Sequence, residues 1–439
     1  MKTIQATKKN KRKRCDYIPN RELAVTPKPQ RDTLLIVAVA LLLIYVFSQC
    51  IISSIAFYFK FPDDYAWTEL MINYRGGFIR RGLLGEFLWQ IKEVFDLRIA
   101  AMFLIYECFI IYYFVLYKKL TQAYDKYLVF FLCASPALFI FLPINSINAF
   151  KKDSFILVAL LLVFHFISQY MQQKISTCKV YAYTFFLFIL GTLIHEILIF
   201  YILLPAMLLW QEEYKKGRGA IAFVAIGFVI ASTTLFVYLN FGTTEHRFAI
   251  AQSWESFLCL PEGVLNDSDS AITWIDKDIE YAWSHMRTGL AFFINTLSTI
   301  IAFCLSMIPI GVLYYTYNVR KSIQTYFTIP FYQFFLGIAL IFPLSLFFMI
   351  TDHGRVISFS AIYYVLFFLT MQEVRPQSPH VQYRKLINSM QLNNKLRAKV
   401  LLGILLYGCT WRVISVSTDI ILQFSMPMRE LLRALGLWS

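Results

Sequence analysis

From Thr33 to Phe59 the chain runs for 27 residues without a charged side chain, and comparable runs recur almost to its C-terminus. A lipid bilayer demands such runs, because a helix needs about 20 predominantly apolar residues to cross its hydrocarbon core. Composition agrees. The sequence is 58% apolar and 15% charged, with a mean hydropathy of +0.57, whereas a soluble domain carries about 25% charged residues. A water-soluble enzyme, a disordered chain and a single-span receptor are excluded. The expected fold class is all-α, a polytopic helical membrane protein. Thr33–Phe59 exceeds a signal-peptide core of about 7–15 residues and no small-residue cleavage site follows it, so it reads as a retained first span.

Further spans are expected near 98–117, 127–144, 153–171, 219–240, 288–315, 327–350, 356–372 and 400–422, with the first near 33–57. The apolar stretch 180–211 is too long for one span and is interrupted by His195-Glu196, which predicts two short helices meeting there. That makes eleven crossings with no internal repeat. A basic segment, 1–32, would precede one transmembrane domain, 33–422, with external loops 58–97 and 241–287 and an amphipathic interfacial tail, 423–439.

Charge supports this map. The net charge is +14, and an excess of Lys/Arg marks cytoplasmic segments of membrane proteins. With the N-terminus inside, the segments 1–32, 118–126, 172–179, 212–218, 316–326 and 373–399 hold 26 of the 41 Lys/Arg. The basic run from Lys8 to Arg14 then meets anionic lipid rather than nucleic acid. Loop 241–287, on the other side, has eight acids against three bases. The same map puts Asp63, Asp64, Arg75, Arg80, Arg81, Lys151, Lys152, Asp153, His195, Glu196, His246, Arg247, Asp352, His353 and Arg355 at one outer face. Ionisable groups at the ends of spans are costly, and they mark functional sites more often than not.

Each constellation has a chemical and a plain reading. Arg75, Arg80 and Arg81, among Gly76, Gly77, Gly82 and Gly85, suit a phosphate-bearing anion, since guanidinium binds phosphate at two points; otherwise they snorkel to lipid head groups. Ala66–Tyr74 and Leu83–Val94 would form interfacial helices in that loop. Asp63 or Asp64 could be the general base for an attacking hydroxyl, or a helix cap or ion-pair partner. His195 and Glu196 suit a donor and a base, or an acid that orients an arginine, or a buried structural pair. Lys151 and Lys152 would extend a pyrophosphate site or merely flank a span, and Asp153 would sit at the positive end of that helix. Asp352, His353 and Arg355 share a tight polar turn that brings them to one ligand or simply turns the chain. Arg412, within an apolar run, needs a partner, and Trp254, Trp274 and Trp283 either stack on sugar rings or form a folded cap. Asn266-Asp267-Ser268 fits a glycosylation sequon.

Eight scattered cysteines support neither a disulfide framework nor a zinc site. The absence of Walker A, GxSxG, HExxH and Rossmann glycine patterns argues against cytosolic nucleotide chemistry.

A long first external loop with an acidic pair resembles the polytopic glycosyltransferases of the GT-C class. GGFIRRGLLG, followed by KKD, IHE and DHGR at span ends, is similar to bacterial Wzy-type polysaccharide polymerases (O-antigen and capsule). The resemblance implies a GT-C-like or polymerase-like helical bundle in the bacterial inner membrane. It implies joining of repeat units carried on undecaprenyl pyrophosphate at the outer leaflet, with membrane lipids, a chain-length regulator or other glycan-assembly proteins as partners. In that reaction the base would be Asp63, Asp64 or Glu196, and Arg75, Arg80, Arg81 and Arg355 would hold the pyrophosphate without a metal or other cofactor. Asp63-Asp64 binding a metal, as in GT-C enzymes, stays open. The competing expectation is a transporter or flippase, which the broken pair at His195 and the intramembrane Arg412 would suit.

Overall fold

The computed structural model describes residues 32–59, 65–138, 150–255, 271–277, 284, 297–349 and 352–411. Its helices are α1 (Thr33–Phe59), α2 (Tyr65–Leu70), α3 (Gly82–Ile91), α4 (Leu97–Ala123), α5 (Lys126–Ala134), α6 (Asp153–Met171), α7 (Thr177–Ile194) and α8 (Leu203–Lys215). They continue with α9 (Gly219–Leu239), α10 (Thr244–Glu255), α11 (Leu297–Thr316), α12 (Val319–Tyr326), α13 (Pro330–Ile341), α14 (His353–Val374), α15 (Val381–Leu392) and α16 (Asn394–Thr410). Six of them, α1, α4, α6, α7, α9 and α14, are long and apolar enough to cross a membrane; α11 and α12, bent by 68° at their junction, would make a seventh. Large apolar side chains face outward from the peripheral helices, among them Phe47 and Phe228, which are 68% and 71% exposed. Such a surface is stable against lipid tails and not against water. The chain is a helical membrane protein.

Two helices form the centre. In α14 94% of the apolar stretch is buried and in α6 67%, against 11% for α1. An all-round apolar helix belongs inside a bundle, because no face of it needs water. The two run parallel. Arg355 of α14 grips Asp153 of α6 at one end, and Glu373 of α14 accepts from Ser168 of α6 at the other. The 19 residues of α6 separate those ends by about 28 Å.

The far end gathers the basic segments. Asp32 accepts from Lys126 at 2.9 Å and the Tyr127 hydroxyl at 2.6 Å, and Arg397 stands 3.3 Å away. Glu373 takes Lys119 at 2.5 Å, Glu213 takes Arg218 at 2.7 Å, and Asp125 accepts from Tyr383 at 2.6 Å.

Several expected elements differ in detail. The split of 180–211 is present: α7 ends at Ile194, His195 is extended, and a 3₁₀ turn, Glu196–Tyr201, leads into α8. The expected single span near 327–350 is instead α13, a 3₁₀ turn at Phe342–Ser345 and Leu346–Met349, because Pro343 has no amide to continue the ladder. The expected interfacial helix Ala66–Tyr74 stops at Leu70 and is buried, and the chain beyond it is held by side chains of α10. The segment 1–31, the sequon at Asn266, Arg412 and the tail 423–439 lie outside the described residues.

Gly85 lets α3 lie directly on that extended segment: a Cβ there would stand 2.0 Å from the Ile72 carbonyl oxygen and 2.6 Å from that of Leu70. Both obstacles are backbone, so the loop itself must move. Gly85→Ala is expected to lower stability by about 1–3 kcal/mol or more, measured by thermal unfolding of the detergent-solubilised protein. Gly227→Ala, at a lipid-facing position with open space around it, should unfold at or above the wild-type temperature.

Candidate functional site

The end of the bundle where α6 and α14 begin collects charge from five parts of the chain. Aromatic stacking sets the frame. Phe57, near the end of α1, lies between Trp67 of α2 and Phe150, with both ring centroids 4.2 Å away. This sandwich brings α2 against the Lys151-Lys152 segment. The connection 71–81 is then fixed from outside. Trp254 of α10 donates to the Met71 carbonyl at 2.8 Å, Asn73 donates to Ser253 at 2.9 Å, and the Arg80 amide donates to the Asn240 carbonyl at 3.1 Å.

The outermost contact is between Arg80, Arg81 and Glu196. Arg81 Nε donates to Glu196 Oε1 at 2.9 Å and to Oε2 at 2.7 Å, its Nη2 also donates to Oε1, and Arg80 Nη1 reaches Oε1 at 3.3 Å. Arg81 adopts φ +66°, a left-handed conformation that costs a non-glycine residue energy and recurs at functional sites. Burial lowers the Arg80 guanidinium; Glu196 counters this and Arg81 adds to it, leaving Arg80 at about 10 and still cationic at neutral pH. These three side chains retain 14–18% exposure, so solvent reaches them.

Beneath them lie Lys152, Glu69 and His195. Lys152 is fully buried and its ammonium donates to the Arg81 carbonyl at 2.5 Å, without a carboxylate ion pair among the described residues. Burial pushes it down, Glu69 counters, and Arg81 adds to the fall, leaving it at about 8. Glu69 is likewise fully buried. Burial raises its carboxyl, but His195, Arg355 and Lys152 together outweigh that and hold it well below the usual carboxylate range. Its Oε1 stands 3.4 Å from His195 Nε2, in ion-pair reach but outside hydrogen-bonding geometry, and neither Glu69 oxygen has a hydrogen-bond partner among the described residues.

The third layer braces the helices. Arg355 Nε donates to both oxygens of Asp153, at 2.7 and 2.9 Å. Lys151 reaches Asp352 at 3.2 Å, and Asp352 caps α14 by accepting from the Arg355 amide. Asp153 in the first turn of α6 and Asp352 at the N-cap of α14 meet the positive ends of those helix dipoles. The cluster thus counts five Lys/Arg against four carboxylates, at two converging helix N-termini. That arrangement favours an anion, for which Arg80 and Arg81 offer paired forks.

Of the residues expected from sequence, Arg80, Arg81, Lys151, Lys152, Asp153, His195, Glu196, Asp352 and Arg355 come together here. His353 lies beside them, with Nε2 at 3.2 Å from the Phe347 carbonyl and its ring on Phe347, so it braces the preceding broken helix. Arg75 stands apart. It pairs with Glu86 at 2.5 Å and lies 3.5 Å over Trp89, and no contact joins it to the cluster. His246 packs by Thr243 and Gly77, and Arg247 pairs with Asp276 at 3.1 Å. Trp254, expected as a sugar platform or a cap, is 1% exposed and serves as a cap. Asp63, Asp64 and Trp283 lie outside the described residues. Glu69 was missed. Its signal is that it is the only acid from Tyr65 to Ile79 and has no base at the three- or four-residue spacing of a helix face, so its partners must come from elsewhere in the chain. Among the described residues no group of three His, Cys, Asp or Glu side chains is placed to hold a metal ion.

No protein-family model matches this chain, nor does any curated protein or solved structure.

The Asp153–Arg355 pair gives a direct test of the brace. Asp153→Asn and Arg355→Met each leave a buried charge alone and should each cost about 3–5 kcal/mol of stability. The double variant should recover about 1–3 kcal/mol of their sum. The measurement is the denaturation midpoint in mixed micelles, and strict additivity would mean that the pair is not coupled.

Proposed function

We propose that this chain is a membrane glycosyltransferase, a polymerase joining oligosaccharide repeat units carried on lipid pyrophosphate at the outer face of the cytoplasmic membrane. The observation that carries the reading is the surplus of cations at one end of the bundle, with Arg80 and Arg81 held by a single solvent-reachable carboxylate, Glu196. A pyrophosphate leaving group needs stabilisation as negative charge develops on it, and fixed cations supply that without reorganisation. Arg80, Arg81 and Lys152 are assigned to this role, while the fork of Arg355 is occupied by Asp153.

The proposed topology has eleven crossings: α1, α4, α5 with the chain that follows it, α6, α7, the 3₁₀ turn with α8, α9, α11, α13 with its continuation, α14 and α16. The N-terminus and the basic segments are then cytoplasmic, and the cation cluster faces the outer leaflet, where lipid-linked substrate, membrane lipids and a chain-length regulator would meet it.

In the reaction an acceptor hydroxyl gives its proton to a carboxylate and its oxygen bonds to the anomeric carbon. The bond from that carbon to the pyrophosphate oxygen breaks, and its electron pair stays on the phosphate. Asp63, Asp64 and Glu196 are the carboxylates proposed for the proton, with two guanidiniums covering the lone pairs of Glu196 at rest. No metal or other cofactor is assigned.

Loss of the protein should collapse the long ladder of surface glycan to a single repeat unit on a gel. Arg80→Ala and Arg81→Ala should do the same while the protein still inserts in the membrane. A full ladder in both variants would overturn the assignment of the arginines. An unchanged glycan in the deletion strain would overturn the transferase reading and favour transport of a glycolipid.

The pH profile has a definite sign. Lys152, pushed down to about 8, is cationic below that pH and neutral above it, so its contribution to binding pyrophosphate is lost as pH rises through about 8. kcat/KM, which reports the free enzyme, should fall across that window, and the inflection should vanish in Lys152→Met.

A further inference from the structure

We propose that the contact of Arg80 and Arg81 with Glu196 is a latch on a triad, Glu69–His195–Glu196, and that an anion which takes the two arginines makes the triad take up a proton. The inference rests on the reading of Arg80 and Arg81 as anion holders and assigns Glu69 as a positioning residue acting through His195.

The geometry is that of an imidazole between two carboxylates. His195 Nδ1 accepts from the Ile197 amide at 3.3 Å, which puts the ring proton on Nε2, 3.4 Å from Glu69 Oε1. Nδ1 is also 3.4 Å from Glu196 Oε2. One end of this row, Glu196, is 17% exposed, and the other, Glu69, is sealed, with both oxygens and the His195 Nε2 unsatisfied among the described residues. A fully buried carboxylate without hydrogen bonds carries a large desolvation cost, so its environment must supply charge in another way.

The charge balance decides what happens on binding. The groups facing the triad are Tyr65 on α2, Arg80 and Arg81 in the connection 71–81, Lys151 and Lys152 before α6, Asp153 on α6, and Arg355 on α14. Arg355 and Lys151 already hold Asp153 and Asp352. At rest Glu196 is balanced by two guanidiniums. A pyrophosphate diester carries two negative charges of its own and competes for the same forks. Once it takes them, Glu196 and Glu69 flank one imidazole, and Lys152, the remaining cation without a carboxylate ion pair among the described neighbours, is shared with the anion. One ammonium does not neutralise two carboxylates, and a proton from solvent restores the balance. By linkage, affinity for the anion then rises as pH falls, by close to tenfold per unit where a whole proton is taken up.

The test is isothermal titration calorimetry of the full-length protein in nanodiscs with a geranyl methyl pyrophosphate diester. Each phosphate of this probe keeps one permanently ionised oxygen, so it brings no titration of its own near neutral pH. At pH 6.5, where Lys152 is already charged, binding in buffers of different ionisation enthalpy should show uptake of about one proton per diester. Glu196→Gln should bind several-fold more tightly without uptake, and Glu69→Gln should bind with uptake reduced by more than half. Binding by the wild type without uptake would overturn the latch while leaving the anion site standing. Undiminished uptake in both variants would overturn the triad, and absence of binding by the wild type would overturn the anion reading itself.

Discussion

The buried pair of Asp153 and Arg355 holds together the two helix starts on which the inner part of the charged cluster is built. It ties the first turns of α6 and α14, the two helices most enclosed by the bundle, and the Lys151–Asp352 pair lies immediately before those two turns. An apolar pair would hold the helices at least as firmly, since removing two charges from water costs several kcal/mol per ion. The ion pair adds something apolar packing cannot supply. It keeps a polar interior at the end of a membrane bundle in which Lys151, Lys152 and Glu69 can stay charged, each contributing to the field felt by the others.

Glu196 has the opposite character. Its partners, Arg80 and Arg81, come from a connection outside the central helices, and its ion pairs are open to solvent. The connection itself is pinned: Trp254 holds the Met71 carbonyl, Asn73 donates to Ser253, the Asn240 carbonyl accepts from the Arg80 amide, and Arg81 bears a left-handed backbone. A guanidinium pair on a stiff loop, facing one replaceable carboxylate, loses little freedom when the carboxylate is exchanged for another anion. Preorganisation of this kind is what lets fixed dipoles and charges act on a developing charge.

Much of this was legible in the sequence because the bilayer writes large signals. Long uncharged runs give the six long apolar helices among the described residues, and the charge at His195-Glu196 falls where α7 ends and the 3₁₀ turn begins. The set of charges expected at one face follows from counting spans, and nine of its fifteen members meet. What the count could not distinguish is radial position. Arg75 and Arg80 share a loop and a side of the membrane, yet Arg75 turns outward to Glu86 and Trp89 while Arg80 turns inward to Glu196. Glu69 was hidden for the converse reason. A single acid in an apolar stretch gives no local pairing signal, and its partners, His195 and Lys152, are far away in sequence. The break at Pro343 was visible as a proline, but only packing decides whether a proline kinks a span or divides it.

The two ends of the bundle make the functional distinction sharper than either does alone. At the basic end the carboxylates Asp32, Asp125, Glu212, Glu213 and Glu373 all have cationic or hydroxyl donors. That is how structural acids at a membrane interface are expected to look, since burying a carboxylate is tolerated when its lone pairs are filled. At the other end, among the described residues, Lys152 has no carboxylate ion pair and Glu69 has no hydrogen-bond donor. The same fold that satisfies its acids at one face leaves one of them, Glu69, without a hydrogen bond at the other, about 28 Å away along α6. Unmet hydrogen-bonding capacity on a sealed carboxylate is a standing cost to stability, and it is the kind of cost a protein retains where a ligand or a proton is to be exchanged.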